Sequence, residues 1–308
     1  MSGVLSGFFI VWALIGVGWL TARTGVLGPH ARYVLNRTTF FLASPALVLV
    51  GLLQSEPAEV LSTPMLVAAL AGLSTGAVLL VALRVLTSRR GVDLVVAAIS
   101  GSVVNGANMG FPIALYVLGD ISHAIPVILF QQAVYTPLYL FVLHSLTQER
   151  RPGPAGVART ILANPTIIAS AVGLALSAAG VQLPEVALQP VRSLADMAIP
   201  AMLLAYGLSL HGSRPFARDD GYRGLIAVSS TTKLVVMPLI ALGIGAALGL
   251  RGQDLYEVVV MAALPTAQNV FVAAARYEAA ENLARDTVLV TTIGTVVVLM
   301  VLAVALGA

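Results

Sequence analysis

Residues 100–112 read Ser100-Gly101-Ser102-Val103-Val104-Asn105-Gly106-Ala107-Asn108-Met109-Gly110-Phe111-Pro112, inside a run, 94 to 119, that carries no charge. Glycine, asparagine and proline at this density prevent an unbroken lipid-facing helix. Backbone released at membrane depth must find partners inside protein or line a wet cavity. The stretch therefore predicts a transmembrane helix that unwinds midway.

The rest of the chain supplies the membrane. Of 308 residues, 58% are hydrophobic and only 10% charged, with a mean hydropathy of +0.94. A soluble domain carries about 25% charged residues, so a soluble enzyme on one anchor is excluded. Ten uncharged or nearly uncharged runs follow one another: 1–22, 38–55, 60–83, 94–119, 121–148, 160–184, 197–213, 224–250, 258–275 and 287–308. Each approaches the ~20 residues that cross a hydrocarbon core as a helix. Open sheets cannot lie in lipid and the runs lack barrel-type alternation, so the expected fold is all-α and polytopic with ten transmembrane helices.

Charge sets the expected orientation. Fourteen of the 17 basic residues, from Arg23 to Arg285, surround the odd-numbered connections, and the even ones hold Glu56, Glu59, Asp120, Glu185 and Asp254. The positive-inside bias puts the odd loops in the cytoplasm and both termini outside, N-out and C-out, in the cytoplasmic (inner) membrane. No basic residue precedes the apolar stretch of Met1 to Leu20, and Arg23 follows it. That order reads as a retained first span, because a cleavable signal begins with positive charge.

Two matches suggest a duplication. Arg37 and Pro45 recur as Arg192 and Pro200 at a lag of 155, and Gly110-Phe111-Pro112 recurs as Ala263-Leu264-Pro265 at a lag of 153. A lag near half the length divides the chain into a five-helix repeat at 1–150 and a second at 158–308. Five spans is an odd number, so the second repeat enters from the opposite side, giving a 5+5 inverted repeat.

The ninth run contains Leu264-Pro265-Thr266-Ala267-Gln268-Asn269, a second interruption with amides beside it. Paired interruptions in two halves point to a transport site. Each leaves a half-helix with free N–H groups and a positive dipole end, which attracts an anion such as a carboxylate. Asn105, Asn108, Pro112, Pro265, Gln268 and Asn269 are the candidate substrate-binding residues. Lys233, the chain's one lysine, lies about ten residues into the eighth run, where a charge is expensive and functional by default. It reads as a substrate counter-charge or a built-in cation in place of sodium, with pairing to Asp196 as the structural alternative. Asp196 with Arg192, and Gln131, Gln132 and Tyr135 in the fifth run, are candidates for coupling or support. Thr287, Thr291 and Thr292 are placed to line the core.

The broken fourth span, Asn164-Pro165-Thr166-Ile167-Ile168, Ala198-Ile199-Pro200 and Leu264-Pro265-Thr266-Ala267-Gln268-Asn269 together resemble the auxin efflux carrier (PIN-like) family of bacterial permeases, along essentially the whole chain. The resemblance implies a fold related to bile acid sodium symporters, with helices 4 and 9 unwound and crossing. It also implies a scaffold of helices 1, 2, 6 and 7, a transport core of helices 3–5 and 8–10, an elevator mechanism and a homodimer. Substrates of the family suggest malonate, malate or an auxin-like acid. The stretch Thr147 to Val157 is too short for the long cytoplasmic loop of many plant members.

Other functions are poorly served. The chain has no Cys, no metal-binding or nucleophile motif and no phosphate loop, so no enzyme, metal site or cofactor is expected. Basic residues form no run that could follow nucleic acid. The expected function is a secondary carrier for a small organic anion, driven by protons or potential because the breaks hold no carboxylate. A sodium-coupled symporter of the bile-acid type and an anion channel are the alternatives.

Overall fold

The computed structural model describes residues 2–54, 63–147, 162–181, 183–212 and 221–306. Several connection charges named above, among them Glu56, Arg150, Arg159 and Arg214, lie outside this set. The described chain is helical and holds no strand. We number the helices α1 (Ser2–Thr24), α2 (Ala31–Leu53), α3 (Thr63–Leu86), α4 (Val92–Ser100), α5 (106–118), α6 (Ile121–Thr147), α7 (Pro165–Ala178), α8 (Glu185–Leu210), α9 (Arg223–Ala247), α10 (Gly252–Ala262), α11 (Gln268–Arg276) and α12 (Glu281–Ala305). Six of them, α2, α3, α6, α8, α9 and α12, are long and apolar enough to cross a membrane. The fourth run is two pieces, α4 and α5, and the ninth is likewise α10 and α11.

Helices α2, α8, α10 and α12 start well before the apolar runs that predicted them, α8 and α12 with a glutamate as first residue. Helix α8 begins at Glu185 and α12 at Glu281. Their first turns are rich in Glu, Ala, Leu and Arg, which favour helix whether or not lipid surrounds them. The longer α12 takes in an acidic residue that lies just before the tenth apolar run. Asp286 lies on α12, buried, with its Oδ1 2.7 Å from the Arg285 guanidinium. Nor does Arg192 pair with Asp196: its guanidinium meets Glu185 at 2.7 Å, and Asp196 is exposed.

Prolines act in an unexpected way. Helical turns of the wider, π type occupy five described segments, of which Ala114–Leu118 runs into Gly119. The other four, Thr39–Ala43, Gly106–Gly110, Gln131–Tyr135 and Thr232–Val236, are each followed, two residues on, by a proline: Pro45, Pro112, Pro137 and Pro238. A proline ring has no N–H and collides with the carbonyl four residues earlier. Widening the preceding turn removes that collision without ending the helix, and such turns collect at functional sites. Asn108, Gln131, Gln132, Tyr135 and Lys233 all sit in these widened turns.

The chain forms two compact units. The first comprises residues 1–62, 107–132 and 161–213, and the second 63–106, 133–160 and 214–308. In the first unit α1 packs on α8 and α2 on α7 and α8. The approach of α1 to α8 is set by glycines: a Cβ built on Gly18 or Gly207 would overlap the backbone of the facing helix. In the second unit α3 packs on α9, and α12 on α4, α9 and α11. There Gly76 leaves room for the Tyr135 hydroxyl, which a Cβ would meet at 2.5 Å.

Candidate functional site

The second unit brings the two interruptions together. Past Ser100 the chain leaves α4, and Val104 pairs with Thr266 in an isolated antiparallel bridge. Two backbone bonds make it: Asn105 N–H donates to Pro265 O at 2.7 Å, and Ala267 N–H to Val103 O at 3.1 Å. The unwound segments thus satisfy each other, as buried backbone must. Side chains complete the set. The Thr266 hydroxyl donates to Ser100 O, the last carbonyl of α4, at 2.6 Å. Thr266 N–H donates to the Thr291 hydroxyl at 3.1 Å, and the Thr295 hydroxyl to Ala263 O at 3.3 Å. From α9, the Ser229 hydroxyl reaches Ala97 O at 2.9 Å.

Lys233 is completely buried. Its ammonium donates to Ala262 O, the last residue of α10, at 2.7 Å, with Met237 Sδ at 3.3 Å. Among the described residues it pairs with no carboxylate, so the pairing with Asp196 is not formed. The cation meets the negative end of a broken helix, where the dipole and an orphan carbonyl both favour it.

Asn105 is buried beside this bridge, and Gln268 and Asn269 open α11 immediately after it. Gln268 is half-buried and Asn269 exposed. Pro265 lies within the second interruption. Its sequence counterpart Pro112 does not lie in the first: it is buried in α5, beyond a widened turn. The ends of the half-helices, Ser100 and Ala262, stand 162 residues apart, so the match at a lag of 153 is out of structural register. In contrast α2 and α8 begin 154 residues apart, which keeps Pro45 and Pro200 close to register.

Of the support candidates, Tyr135 belongs to the second unit. Its hydroxyl is 2.6 Å from Ser102 Oγ and also donates to Gly72 O at 3.3 Å, tying α6 to α3 and the start of the interruption. In the first unit Asn108 is half-buried and Gln131 buried. There Gln132 Oε1 accepts from Asn164 Nδ2 at 3.0 Å, while Asn164 Oδ1 caps α7. That gives Gln132 a structural task. The sequence reading missed the roles of Thr266 and Thr295. Thr287, Thr291 and Thr295 recur every fourth residue, which puts one polar stripe on an apolar helix, and that was the available signal.

Comparison with known proteins defines the class. A family model described as membrane transport protein matches residues 4–153 and 155–303. The chain belongs to this family, the auxin efflux carrier-like permeases, and is a multi-pass membrane protein. It is also 29% identical over 301 residues to a protein of Rhizobium meliloti (strain 1021) named "Putative malonate transporter", covering 95% of this chain and 92% of that one.

Proposed function

We infer that this protein is a secondary carrier for a small organic anion, a carboxylate of the malonate or malate type. The observation that carries the reading is the paired interruption: two unwound segments bridged backbone to backbone, with Asn105, Gln268, Asn269 and a buried cation around them. The start of α11 offers N–H groups and a positive dipole end to a carboxylate, and the amides offer neutral donors. The relative named for malonate supports the same substrate class.

The fuller reading has ten spans in a 5+5 inverted repeat, with both termini outside the cytoplasmic membrane. The unit that carries the interruptions is the moving body of an elevator, and the carrier is a homodimer. Neither interruption contains Asp or Glu, so protons or membrane potential drive it in preference to sodium. Asn269→Ala tests the site. Its side chain is exposed, so truncation strands no buried partner and leaves the melting temperature unchanged. Malonate uptake should fall about tenfold or more, the effect of one hydrogen bond to a charged group. Wild-type uptake by the variant would place the site elsewhere.

A further inference from the structure

We propose that the Lys233 ammonium is the resident cation of the transport core, holding the broken end of α10 in the way a bound metal cation would and making transport independent of sodium. The proposal rests on the carrier reading above. The two interruptions are closed asymmetrically. Both interruptions leave a helix ending in unpaired carbonyls at membrane depth. The end of α4 is closed by neutral groups, with Thr266 on Ser100 O. The end of α10 is closed by a full positive charge, with Lys233 on Ala262 O.

The second half alone carries this cation. Helices α3 and α9 begin 160 residues apart, and α4 and α10 end 162 apart. In that register Lys233 aligns with Ala71, Gly72 or Leu73, none of which can carry charge.

A cation at this point has a clear electrostatic task. The helix end is negative, and burial in low dielectric strengthens its pull on a positive group. Metal cations would need several oxygens with a carboxylate to balance their charge, and no acidic side chain occurs in either interruption. Lysine supplies the charge covalently, and its π-type turn, Thr232–Val236, is held open by Pro238 two residues on. The bound carboxylate then meets a core that is already positive, with no second ion to load.

The test uses the full-length protein in proteoliposomes, with Lys233→Met, Lys233→Gln and Lys233→Ala. Lys233→Met keeps the volume and Lys233→Gln keeps a donor, but both lose the charge. Lys233→Gln should fold normally and Lys233→Met should melt somewhat lower, because Ala262 O loses its donor. Each should lose malonate uptake about a hundredfold, the scale of removing one fixed electrostatic group from a dry site. Lys233→Ala opens space for a small amine. n-Propylammonium chloride should raise its melting temperature and restore part of its uptake, whereas choline chloride at equal ionic strength should do neither. Wild-type uptake should be unchanged when choline replaces sodium.

Wild-type uptake by Lys233→Met or Lys233→Gln would overturn the proposal, as would steep sodium dependence of the wild type. So would equal responses of Lys233→Ala to the two salts. Should Lys233→Ala fail to fold, the Met and Gln variants decide. If the wild type carries no carboxylate, the carrier reading fails by itself, and the amine-specific shift in melting temperature still tests the resident cation.

Discussion

Gly207→Val should prevent the first unit from folding, with a loss of about 3 kcal/mol or more. A Cβ at Gly207 would overlap Ile15 O and lie 2.8 Å from both Gly18 Cα and Trp19 N. Reciprocally, a Cβ at Gly18 would overlap Leu204 O. All these atoms are backbone, so no change of rotamer on either helix makes room. Helices α1 and α8 would have to separate along their closest approach, giving up the dispersion contacts that hold helices together where lipid is as apolar as leucine. At Gly16, on the partner helix α1, a methyl group would have no atom within 4 Å, so Gly16→Ala serves as the control and should be neutral. Thermal melts of the detergent-purified variants check the pair: equal melting temperatures for Gly207→Val and Gly16→Ala would show that the helices do not depend on this approach.

Ala267→Pro should abolish transport and destabilise the second unit by about 2–3 kcal/mol. Ala267 has φ −65° and ψ 136°, values that proline adopts without backbone adjustment. Thr266 before it sits in the extended bridge, which proline also accepts. The substitution therefore removes one group, the N–H that donates to Val103 O. That carbonyl loses its partner across the bridge in a buried setting, where water offers no replacement. The other backbone bond of the bridge, Asn105 N–H to Pro265 O, then holds the two interruptions together with the Thr266 hydroxyl on Ser100 O. Melting temperature and malonate uptake of the purified variant test this; a stable variant with wild-type uptake would mean the bridge has no part in the site.

Much of this was legible in the chain because hydropathy reports solvent directly. The apolar runs correspond to helices and half-helices of the structure, and the Gly and Asn of 101–105 mark a real interruption. Pro112 was misleading for a physical reason. A proline reads the same whether the helix before it breaks or widens, and the outcome depends on whether neighbouring helices leave space for a displaced carbonyl. Pro265 lies in an interruption, whereas Pro45, Pro112, Pro137 and Pro238 each follow a widened turn. Lys233 was recognisable as special from cost alone. Its partner was not, since Ala262 O is an acceptor only because α10 ends there, and that end is fixed by the bridge between Val104 and Thr266. Thr266 hid for a similar reason: its hydroxyl matters through Ser100, 166 residues away.

Counterflow of labelled malonate tests the central claim most directly. Purified protein is placed in vesicles preloaded with unlabelled malonate, and uptake of external label is followed with sodium or choline outside. A carrier whose site lies at the paired interruptions should show saturable uptake, accelerated by internal malonate and equal in the two salts, and Asn269→Ala should reduce it. Uptake no greater than in protein-free vesicles, for malonate and for every other carboxylate in a mono- and dicarboxylate panel, or a conductance that never saturates, would contradict it.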